Sequence, residues 1–299
     1  MINGKSVLQK LKSKSRKIGL PYQLILRLFC QEEFLRRLVS SQYKEQLILK
    51  GGLFLFSYTG FQSRPTMDID FLAKYLPNNK DEMKQVVERI IAEKSENSYI
   101  LFEVNSVENI AEMKAYNGVR VKLAAIIENT RTPFDIDIGI GDVVVPEIES
   151  IVIPTQLNDF EEPVVNSYSL ESTIAEKLET MFARMETSSR MKDYYDIYYL
   201  ASNYDFDGEI FAKAIRETFK QRGTTCDLES LAKITKMYEN ADMQRRWRTF
   251  TKRSLGVSIE FQTVTEVITA FVKGPIVGIE QDKSFRKRWS KEIKSYDLI

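Results

Sequence analysis

The sequence contains no histidine. That absence removes Ser-His-Asp and Cys-His arrangements, imidazole metal ligands and an imidazole base near neutral pH. Catalysis in such a chain falls to carboxylates, lysine, tyrosine or a bound metal ion, and hard oxygen donors such as Asp favour Mg2+, Mn2+ or Ca2+. Cysteine is almost as scarce. Cys30 and Cys226 lie far apart in sequence, which argues against a disulfide framework and a structural zinc site. No stretch approaches the roughly 18 apolar residues of a membrane span, and the basic opening MINGKSVLQKLKSKSRK lacks the apolar segment of a signal peptide. The expectation is therefore a soluble, cytoplasmic protein. An excess of one charge is missing too: 43 basic residues face 42 acidic ones. Any nucleic-acid footprint must come from local patches. There is no internal repeat and no low-complexity tract, which excludes a solenoid.

What is present divides in two. The length of 299 residues suits one large domain or two ordinary ones. PYQLILRLFCQEEFLRRLVSS and DEMKQVVERIIAEKSE carry apolar residues at helical spacing. Between and after them come strand-like runs, LIL, MDIDF, YILFEVNSV, YNGVRVKLAAII, PFDIDIGIGD and SIVIP. From SLESTIAEKLETMFARM onward the periodicity is mostly helical, with Ser169 and Ser172 as N-cap candidates. The expected organisation is a mixed-sheet α+β domain with N-terminal helices over 1–155, then a mainly helical domain over 156–299.

The acidic strands carry the chemical signal. Asp68 and Asp70 in RPTMDIDF alternate with apolar residues, so they share one strand face with Cα atoms about 6.6 Å apart. Like charges that close repel unless a positive group sits between them. Asp135 and Asp137 repeat the pattern, and Gly139 and Gly141 continue that face without side chains. Three such carboxylates could hold two divalent ions about 3.5–4 Å apart, as in two-metal phosphoryl transfer. The plainer alternative is that each pair faces water on an edge strand. Upstream, LILKGGLFLF reads as strand, Gly51-Gly52 turn and helix, with Lys50 just before it. Paired glycines admit close backbone approach, and a helix start offers free N–H groups to a phosphate.

Taken in order, KGGLFLF, RPTMDIDF, FDIDIGIGD, SLESTIAEKLETMFAR and RMKDYYDIYYL resemble the AbiEii/AbiGii toxin family. That family is a branch of the DNA polymerase β-like nucleotidyltransferases related to the MenT toxins. The resemblance runs from about Leu47 to Leu200, with EEFLRRLVSSQYKEQLILKGG similar to the family's lead-in helix. It implies a polymerase β-like mixed sheet with flanking helices. It also implies a toxin of an abortive phage-infection or toxin–antitoxin system, with a separately encoded AbiEi-type antitoxin as partner. The implied activity is nucleotide transfer from an NTP, with Mg2+ or Mn2+, to an RNA acceptor, the tRNA 3′ end.

Residue by residue, the resemblance implies that Gly51 and Gly52 cradle the triphosphate and that Asp68 and Asp70 bind metal. Thr66 takes a place where relatives often have Ser, and Lys50, Arg64 and Thr66 join the nucleotide contacts. Asp137 matches the third carboxylate, with Asp135 as the alternative. Lys177 matches a lysine that contacts the nucleotide phosphates, and Asp193 a later motif aspartate, with Asp196 one turn on. Leu53 and Lys192 depart from the Thr and Arg common in relatives. Without the resemblance, Lys177 reads as one half of a surface ion pair with a neighbouring Glu, and Asp193 and Asp196 as a solvated helix face or a pair with Arg190.

Two basic segments are candidates for RNA contact. MQRRWRTFTKRS surrounds Trp247 with Arg245, Arg246, Arg248, Lys252 and Arg253, and DKSFRKRWSKEIKSY surrounds Phe285 and Trp289 with Lys283, Arg286, Lys287, Arg288, Lys291 and Lys294. Cations interleaved with aromatics suit a phosphate backbone plus base stacking. The alternative is a solvated helix face with a buried Trp. KLKSKSRK is a third, weaker patch. Two further functions stay open on the sequence: an NTP-binding, GTP-type toxin or regulator that transfers nothing, and a structural module that only binds an antitoxin.

Overall fold

The computed structural model describes residues 3–62, 64–110 and 118–298. It divides into two units, Met1–Gly141 with Glu149–Ser167 and Asp142–Ile148 with Tyr168–Ile299.

In the first unit, Asn3 and Ser6 form a capping box that starts α1 (Gly4–Ile18), and Gly19 ends it in the left-handed conformation. α2 (Tyr22–Ser40) follows Pro21. β1 (Leu47–Lys50) runs directly into α3 (Gly51–Thr59), and β2 (Ile69–Ala73) returns beside it. α4 (Lys80–Ile91) begins at Asn79, whose side chain accepts from the Glu82 amide. β3 (Ile100–Ile110), β4 (Gly118–Ile127), β5 (Thr130–Ile140), β6 (Glu149–Val152) and β7 (Val164–Ser167) complete a seven-stranded sheet in the order β3-β4-β5-β2-β1-β7-β6. It is mixed, as expected. β2 pairs parallel with β5 and antiparallel with β1, while β1 pairs parallel with β7. The sequence reading did not anticipate β7, because VVNS is short and its second inward position is Ser167, not an apolar residue.

α2 supplies the core of this unit. Phe34 packs at 6.3 Å from Phe71 of β2 and 6.4 Å from Phe102 of β3. The adjoining Glu33 is fully buried, a costly position for a lone carboxylate. It accepts from Arg36 at 3.0 Å, Arg37 at 3.2 Å, Ser95 at 2.6 Å and Asn97 at 2.7 Å. That network ties α2 to the segment entering β3.

The second unit is mainly helical. Ser169 caps α5 (Leu170–Arg184) by accepting from the Ser172 amide, as the sequence suggests. There follow α6 (Met191–Asn203), β8 (Phe206–Asp207), α7 (Gly208–Arg222), α8 (Leu228–Thr235), α9 (Ala241–Phe250), α10 (Phe261–Glu280), β9 (Lys287–Ser290) and β10 (Ser295–Leu298). Helical periodicity misreads the last of these segments. KRWS and SYDL pair antiparallel as a hairpin that joins β8, so alternation rather than a 3.6 period decides what faces inward.

For the tryptophans the alternative reading, a buried ring, is the one that holds. Trp247 is stacked on Phe261 at 5.0 Å and donates its indole N–H to the Ile259 carbonyl at 2.6 Å. Trp289 sits 4.9 Å from Phe271 and donates to the Ala201 carbonyl at 2.7 Å. Both are buried with their polar atom satisfied, so neither offers a face to a nucleobase. The basic residues Arg248, Lys252, Arg253, Arg288, Lys291 and Lys294 remain exposed around them. Among the described residues no helix is long and apolar enough to cross a membrane.

Candidate active site

The strand pairing of the first unit lines up the expected residues in one row. Lys50 of β1 is the register partner of Asp70 on β2, Asp70 of Asp137 on β5, and Asp137 of Arg120 on β4. Register partners share a sheet face. Four neighbouring strands therefore present Lys50, Asp70, Asp137 and Arg120 side by side, with cations at both ends and carboxylates between them. Asp68 stands two residues before Asp70, and Asp135 two before Asp137, opposite Lys122. Burial first, and then the negative charges of Asp70, Asp135 and Asp137, push the Asp68 carboxyl above its ordinary pKa, against the opposing pull of Arg120.

The glycine pair fits tightly against this row. Gly51 has φ +68°, and a Cβ there would lie 2.0 Å from Asp70 Oδ2. A Cβ on Gly52 would lie 2.3 Å from Thr66 Oγ1. Only residues without side chains let the first turn of α3 approach Asp70 and Thr66 this closely. The Gly52 amide donates to Asp70 Oδ2 at 3.4 Å, so the positive end of the helix faces the carboxylate. Arg64 Nη1 lies 3.7 Å from where a Gly52 Cβ would sit, which places Arg64 and the buried Thr66 on the same side of the glycines. Lys50 Nζ sits 3.7 Å from where a Gly139 Cβ would stand, in room left by the missing side chain.

Arg120 is the residue that motif reasoning overlooked. Its Nε and Nη2 donate to Asp137 Oδ1 and Oδ2 at 2.7 and 2.6 Å, a bidentate pair, and Nε lies 3.6 Å from Asp135 Oδ2. The hydrogen bond to Asp137 raises the guanidinium pKa above its ordinary value. A signal was available in GVRVKLAA, where Arg120 and Lys122 alternate with apolar residues as the aspartates do on the next strand.

The carboxylates supply the hard oxygen donors that a divalent cation prefers. Among the described residues no three His, Cys, Asp or Glu side chains are grouped to hold one ion. Asp137 is engaged through both oxygens by Arg120.

In the second unit, Lys177 of α5 and Asp193 and Asp196 of α6 form a buried ion cluster. Lys177 Nζ lies 3.1 Å from Asp193 Oδ1 and 2.7 Å from Asp196 Oδ2, and Arg190 Nε lies 2.6 Å from Asp193 Oδ2. The solvated-surface readings of these residues are thus overturned, since Lys177 is 8% exposed, Asp193 0% and Asp196 1%, while the expected pair with Arg190 is present at Asp193. Burial opposes ionisation of Asp193, but Lys177 and Arg190 outweigh it and hold the carboxyl well below its usual range. A second, partly buried cluster, which motif reasoning also overlooked, gathers Asp142, Glu176 and Glu179 on Arg222 at 2.8, 3.2 and 3.0 Å.

The thiols take no part in either cluster. Burial pushes Cys30 and Cys226 up to about 12, far from thiolate chemistry at neutral pH.

A family model described as "Nucleotidyl transferase AbiEii toxin, Type IV TA system" matches residues 33–267. Two solved structures from Helicobacter pylori are similar at 14% identity. A candidate nucleotidyltransferase covers 85% of this chain and 97% of its own with a TM-score of 0.49. The protein JHP933 covers 84% and 96% with a TM-score of 0.47. No curated protein matches.

Proposed function

This chain belongs to the AbiEii family of nucleotidyl transferase toxins of type IV toxin–antitoxin systems, and from that premise we propose that it transfers a nucleotide from an NTP to an RNA acceptor, the tRNA 3′ end being the first to test. The observation that supports this most is the row Lys50, Asp70, Asp137 and Arg120 across four strands, with Gly51 and Gly52 closed against it.

The reaction asks little of the protein beyond positioning and charge. An acceptor hydroxyl attacks the α-phosphorus of the NTP, a new phosphodiester P–O bond forms, and the bond to pyrophosphate breaks. The hydroxyl proton passes to a carboxylate of the Asp135–Asp137 pair, the role that histidine fills elsewhere. Gly51 and Gly52 let the triphosphate approach the start of α3. Lys50, Arg64 and Thr66 supply positive charge and a hydroxyl donor to the phosphate oxygens. Asp68 and Asp70 would hold a divalent cation such as Mg2+ or Mn2+, which when bound neutralises phosphate charge. Lys177 and Asp193 join the proposal as nucleotide-contact and late-motif residues, and a separately encoded antitoxin is the implied partner.

Incubation of the protein with each labelled NTP, total tRNA and Mg2+ tests this reading. Label covalently on RNA with wild type, absent with Asp68→Asn/Asp70→Asn, supports it. Label that binds the protein without ever reaching RNA would favour a nucleotide-binding regulator instead.

A further inference from the structure

The expected chemistry puts two divalent ions on three carboxylates, yet the third carboxylate already has a cation across it. We propose that Arg120 takes the place of a second metal ion: the site binds one divalent cation at Asp68 and Asp70, and the guanidinium supplies at Asp137 the positive charge a second ion would bring. This rests on the metal-dependent reading above and goes beyond it by giving the number of ions and the residue that sets it.

Three features carry the inference. The contact is bidentate, 2.7 and 2.6 Å, so a ligand seeking both Asp137 oxygens must first displace a matched planar fork. The guanidinium stays charged at any working pH and so is a permanent counterion. The backbone also commits it there. Arg120 and Asp137 are register partners within β4 and β5, not residues of a loop. Glu108, the register partner of Arg120 on β3, accepts from Lys122 at 2.7 Å instead. Asp135 lies only 3.6 Å from the same guanidinium. What remains for an ion is the pair Asp68 and Asp70, in keeping with the absence of any three-carboxylate group among the described residues.

Mn2+ titration of the nucleotide-free protein, followed by electron paramagnetic resonance, reads the number of bound ions without reference to activity. Wild type is expected to bind one Mn2+ per chain. Asp68→Asn/Asp70→Asn should lose it, while Asp137→Asn should keep it within about threefold of the wild-type affinity. Arg120→Gln should gain a second ion that Asp137→Asn removes again. Arg120→Lys, which retains the charge, should stay at one. Thermal melts establish that each variant is folded, and the Asp137→Asn and Arg120→Lys results decide the matter if Arg120→Gln is not. Two ions on wild type, or loss of the single ion in Asp137→Asn, overturns the role of Arg120 and leaves the transferase reading standing. No Mn2+ bound by wild type overturns the metal reading along with it.

Discussion

Gly51 and Asp70 are so close that a β-carbon on the glycine would lie 2.0 Å from the Asp70 carboxylate oxygen. Since Gly51 also has φ +68°, Gly51→Ala meets both a backbone penalty of about 1–2 kcal/mol and a steric clash with the carboxylate. We expect a loss of at least that stability in urea denaturation, together with loss of nucleotide transfer.

Burial, and then three neighbouring carboxylates, push the Asp68 carboxyl above its ordinary pKa. A carboxyl with a raised folded-state pKa favours folding below its ordinary pKa, and that contribution is lost as pH rises through the folded value. Asp68→Asn should therefore melt higher than wild type at pH 8, the gap narrowing as pH falls, while transfer activity disappears. A variant that melts lower at pH 8 would contradict the electrostatic account.

Glu32 gives a separate pH dependence. Burial pushes its carboxyl up to about 7, partly offset by the Gln156 amide and by Arg36 and Lys14. A rise from 4.5 to about 7 corresponds to about 3 kcal/mol at about 1.4 kcal/mol per pH unit. Stability from this site is full below pH 4.5, declines toward pH 7 and is gone above it. Glu32→Gln should flatten that decline in melts recorded from pH 5 to 8.

Lys177→Met leaves Asp193 and Asp196 facing each other in a buried site without the ammonium between them. Removing one partner of a buried ion cluster costs about 3–5 kcal/mol. The depressed Asp193 pKa also means that wild type draws stability from this cluster above the ordinary carboxylate range and loses it as pH falls through the folded value. The variant should be less stable at neutral pH and should show a smaller acid-induced loss.

The basic segments separate into packing and surface. Trp247→Ala and Trp289→Ala remove buried rings and should cost about 3–5 kcal/mol each in stability. Arg248→Ala/Lys252→Ala/Arg253→Ala changes exposed cations and should leave stability within about 1 kcal/mol of wild type. If this face contacts single-stranded RNA, the log–log salt slope of binding should fall by about 2, at about 0.7 per cation lost. An unchanged slope would remove the segment from the RNA contact.

The sequence alone determined which chemistry is available and where its strands run. Lack of histidine leaves carboxylates and cations, and strict alternation in MDIDF and FDIDIGIGD determines that each aspartate pair shares a face, because the strand period is two. The order of the motifs likewise reached the family. What only tertiary structure decided is which strand lies beside which. The row from Lys50 through Asp70 and Asp137 to Arg120 joins residues up to 87 positions apart through hydrogen-bond register, and no local pattern encodes register between distant strands. The same holds for Lys177, whose helical spacing permits a surface pair as readily as the buried one it makes with Asp193 and Asp196, and for Trp247 and Trp289, whose basic neighbours say nothing about which way the ring turns. A local period sets the direction of a side chain relative to its own backbone; the packing of the rest of the chain decides what it meets there.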